Sequence, residues 1–116
     1  MSEIINTQQA LEQAAGNEEL AKELFGMLVK ELPELEEKLK AAIANQDMQA
    51  CWDHAHKIYG STAYCGVPAL RVTAQAMENC VKTGNIGAIE ENFVALNQAI
   101  KQILELAPQK LKQAWS

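Results

Sequence analysis

The chain has 116 residues, 48% of them apolar and 5% aromatic, with only 6 Gly and 3 Pro, which suits one helical domain around a single core and leaves strands poorly supplied. Its net charge of −5 has the wrong sign for tracking a phosphate backbone, so nucleic acid is excluded as the expected partner. The charge is uneven, −6 over residues 1–50 and +1 over residues 51–116, so the second half can approach an acidic partner.

In chain order, TQQALEQAAG predicts a short helix with Thr7 as its N-cap and Leu11 as its apolar anchor. After Gly16-Asn17, the spacing of Leu20, Leu24, Met27, Leu28 and Leu32 predicts a long amphipathic helix. Pro33 should kink or briefly break it before Leu35, Leu39, Ala42 and Ile43 resume the stripe towards Asn45. Asp47 caps a next helix carrying Met48, Cys51, Ala55, Ile58 and Thr62, expected to end near Cys65-Gly66. Val67-Pro68 opens another, with Leu70, Ala74, Met77 and Val81 in its core stripe until Thr83-Gly84-Asn85. Ile86, Ile89, Phe93, Leu96, Ile100, Ile103 and Leu104 then hold one face over about five turns, and Pro108 limits the extension. The expected architecture is an all-α antiparallel four-helix bundle with a short additional N-terminal helix across one end. It forms one domain over residues 1–116, with the bundle core over about 17–107 and 108–116 as a tail or extra turn.

No apolar run approaches the roughly 20 residues of a membrane span, and the start MSEIINTQQ has no signal-peptide pattern, so a cytoplasmic chain without direct membrane contact is expected. Cys51, Cys65 and Cys80 lack CxxC spacing and read as small buried hydrophobes in a reducing compartment.

One residue does not fit the bundle. At about 100° per residue, His56 points roughly 125° away from the stripe centred near Ile58 and Thr62. Gly60 follows one turn on and Ala63 two turns on along the same side, stripping the helix surface beside the imidazole. A glycine inside a helix costs roughly 0.5–1 kcal/mol relative to Ala. Two explanations compete: packing against a neighbouring helix, or close approach of a partner to His56. His54 lies on the opposite flank, where a partly buried, hydrogen-bonded role is expected. Trp52 and Tyr59 flank His56, either covering the bundle edge or offering apolar contact to a partner. Asp53 is expected to be solvated. Arg71, Gln75, Glu78 and Lys82 form a polar stripe on the following helix, beside Ala74 and Met77.

The segment AHKIYGSTAYCGVPAL, followed by Met77-Glu78, resembles the signature of histidine-containing phosphotransfer (HPt) domains. His56, Ile58, Gly60, Ser61 and Thr62 match the motif, and Gly66 and Glu78 also fit it. The similarity covers nearly the whole chain; with HKI, GS and YCGVP it is most like the C-terminal HPt module of hybrid sensor histidine kinases of the BarA/GacS type. One departure is Tyr59, where the family usually has Lys or Arg, leaving Lys57 as the nearest replacement cation.

The resemblance implies a phosphorelay intermediate in which His56 takes a phosphoryl group from a receiver-domain aspartyl phosphate and passes it to a response-regulator receiver. It implies Nε2 as the nucleophile, docking over Gly60, Ala63, Trp52 and Tyr59, and support from Lys57, Gln75 and Glu78. A neutral imidazole keeps a free ring nitrogen without a deprotonating base. No cofactor is expected on this domain, with Mg²⁺ supplied by the receiver. There is no GxxxxGK[ST] or GxGxxG loop for ATP, so autonomous kinase activity is not expected. A kinase dimerisation hairpin would need two chains to complete four helices; here one chain supplies four, so a monomer is expected. The alternatives are a non-catalytic helical adaptor, or a metal-binding bundle built on Cys51 and His54 with Cys65, Cys80 or Asp53.

Overall fold

The computed structural model describes residues 3–115. Among these residues five α-helices run in order: α1 (Thr7–Gln13), α2 (Glu18–Ala44), α3 (Met48–Ser61), α4 (Pro68–Lys82) and α5 (Ile89–Lys112). Short 3₁₀ turns at Thr62–Tyr64 and Ile86–Ala88 follow α3 and precede α5. No strand occurs among the described residues. The helices α2 to α5 form a closed bundle in which α3 packs on α2 and α4, and α5 packs on α4 and α2, with α1 against α2 at one end. The bundle measures 43 × 22 × 21 Å. No described helix is long and apolar enough to cross a membrane.

The starts of three helices follow from their capping residues. Asn17 and Asp47 accept from the backbone N–H of Leu20 (3.0 Å) and Ala50 (3.1 Å), satisfying donors that the first turn cannot pair internally. Glu18 and Glu19 place negative charge at the positive end of α2. At α1 the cap is Asn6, whose Oδ1 accepts from Gln9 N–H (2.9 Å). Thr7, the expected cap, is instead the first helical residue. Pro68 opens α4, where its missing N–H costs nothing.

Packing corrects parts of the expected pattern: α2 is not broken at Pro33, and α5 continues past Pro108 as the extra turn to Lys112. An interior proline costs a helix about 3 kcal/mol, but both rings lie on the exposed side. The buried rows Leu28, Leu32, Leu35, Leu39 and Ile100, Ile103, Ala107 hold the helices across them. The core stripe of α2 is rotated towards Ala21 and Phe25, leaving Leu20 and Met27 exposed. Ile86 is exposed because it belongs to the 3₁₀ turn and not to α5. Helix α3 ends at Ser61, short of Cys65-Gly66: the Thr62 hydroxyl donates back to Tyr59 O (2.6 Å) as the chain tightens into its 3₁₀ turn.

Beyond α5 the chain returns to the core. Trp115 is buried edge-on against Phe25, with ring centroids 5.6 Å apart. Its Nε1–H donates to Lys110 O (2.8 Å), and its backbone N–H donates to Glu18 Oε1 (3.1 Å). The segment expected as a tail or extra turn therefore closes one end of the bundle through Trp115.

Candidate functional site

Helix α3 buries Cys51, Ala55 and Ile58 and thereby turns His56 outward, with 55% of its side chain exposed. Two neighbours fix the ring. Trp52, one turn earlier, stacks on it nearly parallel at 9°, with centroids 4.6 Å apart. From α4, Glu78 Oε1 lies 2.9 Å from Nδ1, and its side chain is only 17% exposed. An ionised carboxylate can only accept, so this contact places the ring proton on Nδ1. Nε2 has no partner among the described residues and keeps its lone pair in the plane of the ring. The arrangement is an exposed, oriented nitrogen nucleophile backed by a carboxylate and an aromatic face.

Gly60 separates the two explanations offered for it. A Cβ built there meets nothing within 4 Å, so no neighbouring helix demands glycine, and the surface beside His56 is open. Ala63 departs from expectation: it is partly buried within the 3₁₀ turn and does not continue the exposed side of α3.

The flanking residues divide into two groups. Towards α2, Lys57 is exposed and lies in the field of Glu34, whose carboxyl is held below the ordinary range chiefly by Lys38 at 3.0 Å and to a smaller degree by Lys57. Towards α4, Tyr59 lies beneath Arg71, whose Cζ is 4.5 Å from the ring centroid. Gln75 is exposed one turn before Glu78. Asp53 is exposed and accepts from Gln49 Nε2 (3.0 Å) without touching the imidazole. His54 is partly buried but lacks the expected hydrogen bond among the described residues.

The cysteines do not converge. All three are buried and unpaired, and the thiols of Cys65 and Cys80 donate to Ser61 O (3.3 Å) and Asn85 O (3.1 Å). Burial pushes the Cys65 thiol up to about 11; burial, with a lesser effect of Asp47, also raises Cys51. Among the described residues no group of three or more His, Cys, Asp or Glu side chains could hold a metal ion, so the metal-binding alternative has no ligand set there.

Residues 23–106 match the family model for the Hpt domain. The chain belongs to the Hpt domain family. This HPt domain is 37% identical over 103 residues to sensor protein GacS of Pseudomonas syringae pv. syringae, covering 89% of this chain and 11% of that protein. It is 34% identical over 80 residues to signal transduction histidine-protein kinase BarA of Escherichia coli (strain K12), covering 69% of this chain and 9% of that protein. The chain thus spans about a tenth of the length of these relatives. The crystal structure of the HPT domain from a Shewanella Hpt sensor hybrid histidine kinase superposes with a TM-score of 0.88 at 28% identity, over 97% of each chain. The HPt domain is thus homologous to phosphorelay modules of hybrid sensor kinases, as the His56 motif implied.

Sequence reasoning found His56 through helical phase, and Glu78 through resemblance. It missed the stacking of Trp52 on His56, although a spacing of four residues carries that signal. It also missed the clasp between Arg71, Tyr59 and Thr62, which no spacing rule reveals because it spans the turn between two helices.

Proposed function

We propose that His56 is the phosphoacceptor of this domain, taking its phosphoryl group from the aspartyl phosphate of a hybrid-kinase receiver and giving it to the receiver of a response regulator. The observation that carries this reading is the exposed His56 ring whose Nδ1 lies 2.9 Å from Glu78 Oε1, which leaves Nε2 as the nitrogen without a protein partner among the described residues. As Nε2 attacks phosphorus, the N–P bond forms and the acyl P–O bond breaks, and the electron pair leaves with the receiver's carboxylate. The Nδ1 proton stays in place, so the ring becomes a phosphorylated imidazolium. Glu78 stabilises that positive charge, and the indole face of Trp52 adds a cation–π contribution. The same charge makes the ring a good leaving group when the next receiver's aspartate attacks. No proton transfer is needed in either direction.

In-line phosphoryl transfer depends on positioning and charge neutralisation more than on covalent help. In this reading Mg²⁺ is supplied by the receiver, the domain works as a monomer in the cytoplasm as the phosphotransfer part of a sensor kinase, and it has no kinase activity of its own. Gly60 gives the receiver its approach. Gln75 stands near the phosphoryl group, and Lys57 contributes long-range charge.

The test is label transfer from a receiver domain charged with radiolabelled acetyl phosphate to the wild type, His56→Gln and His54→Gln. Label is expected on the wild type and on His54→Gln, and none on His56→Gln. Acid-labile label retained by His56→Gln would refute the assignment.

A further inference from the structure

We infer that Arg71 is a pre-organised docking cation that meets an acidic side chain of the incoming receiver, an inference that rests on the phosphorelay reading of His56. Arg71 is exposed on α4, yet its guanidinium is held on three sides. It lies over the Tyr59 ring, donates from Nη2 to the Tyr59 hydroxyl (2.9 Å) and donates from Nη1 to Thr62 Oγ1 (3.2 Å). Thr62 is itself buried, and its hydroxyl is tied to Tyr59 O. Every one of these partners is neutral. Lys22 and Lys38 pair with Glu18 and Glu34, but among the described residues no carboxylate pairs with Arg71. A guanidinium has five N–H donors; two are used here, which leaves donors and the whole positive charge for a partner.

Position decides what that partner is. Tyr59 and Thr62 stand one and two turns beyond His56, about 4.5 and 9 Å along the helix axis. The contacts of Arg71 go to Tyr59 and Thr62 and not to His56 or Glu78, and they lie well inside the footprint of a protein covering His56, about 800 Å² on each partner. Between them Gly60 offers no side chain to hold the partner away. On the opposite flank the cations are already engaged: Lys38 pairs with Glu34, and Lys57 lies in the field of the same carboxylate. A receiver with an acidic group beside its phosphoryl-bearing aspartate is therefore drawn to Arg71 on the α4 side, which sets its rotation over His56. A side chain already ordered in the free domain loses little freedom on binding.

The experiment measures initial rates of phosphoryl transfer from a radiolabelled receiver domain to the full chain, as wild type, Arg71→Gln and Arg71→Lys. Receiver concentration is varied at low and at high KCl, and the half-life of the phosphohistidine and the melting temperature are recorded for each protein. Arg71→Gln should raise KM roughly tenfold at low salt and weaken the salt dependence of kcat/KM. Its phosphohistidine half-life should match the wild type, and its kcat should stay within about twofold. Arg71→Lys, which keeps the charge but loses the fork, should fall between the two with a wild-type salt slope; if Arg71→Gln does not fold, a raised KM in Arg71→Lys carries the inference and an unchanged one overturns it. An unchanged KM, or a KM raised equally at both salts, overturns the inference and leaves the phosphorelay reading intact. A wild type that accepts no label overturns both.

Discussion

Gly60 and Gly66 lie six residues apart in one motif, and the structure uses them for opposite purposes. A Cβ at Gly60 would meet nothing within 4 Å, whereas at Gly66, where φ is +63°, it would strike Asn6 O and lie 2.8 Å from Ala10 Cβ. Gly66 also joins two parts of the fold: its N–H donates to Gln13 Oε1 (3.1 Å), and its O accepts from Asn6 N–H (2.7 Å). One glycine keeps a surface bare beside His56. The other lets α1 close against the turn before α4. The same residue type therefore serves access in one region and packing in the next, and only the surroundings tell which.

The comparison is sharpest where a substitution should affect one region and spare the other. Gly60→Glu should abolish phosphoryl exchange with a receiver while the melting temperature is undiminished, because Glu is the better helix former and its carboxylate blocks and repels the incoming phosphoryl group. Unchanged exchange rates would remove Gly60 from the docking surface. Gly66→Ala should do the reverse. The left-handed backbone and the clash together cost about 3 kcal/mol, a fall of about 10 °C in thermal melting, with label still accepted by the folded fraction.

Cys65, beside Gly66, extends the contrast to reactivity. With its thiol pushed up to about 11 by burial, native-state alkylation near pH 8 should run at least about two hundredfold slower than for an ordinary cysteine. The sign of the linked stability follows. Above about pH 8.5 the unfolded chain releases the thiol proton while the folded chain keeps it, so stability should fall as pH rises towards about 11, with Cys51 acting in the same direction. Urea titrations across that range measure it. The smallest effect belongs to Lys57→Ala, which should slow transfer less than about threefold, since Lys57 lies in the field of Glu34 on the α2 side and long-range surface charge is screened.

What was legible in the sequence follows the same division. Helical phase located the buried faces of α3, α4 and α5, and it set His56 outward, because one stripe of Cys51, Ala55 and Ile58 admits only one rotation. It misjudged α2, where Phe25 and Ala21 compete with Leu20 and Met27 for the interior and the choice depends on neighbouring helices. Prolines on a solvent face, at Pro33 and Pro108, look like breaks in a sequence but are carried by the packing opposite them. From the sequence Trp115 reads as part of a tail or extra turn, because its partner Phe25 lies 90 residues away. At the site, contacts within one helix could be reasoned from spacing, whereas the grip of Glu78 on Nδ1 and of Arg71 on Tyr59 depends on how α4 lies against α3.

The most direct measurement is NMR of the imidazole nitrogens in nitrogen-labelled domain before and after charging by a phosphorylated receiver. Phosphorus coupling should appear at Nε2 of His56 alone, with the Nδ1 proton retained and slowed in exchange by Glu78. Coupling at Nδ1, or on His54, would contradict the assignment of His56 Nε2 as the nitrogen that carries the phosphoryl group.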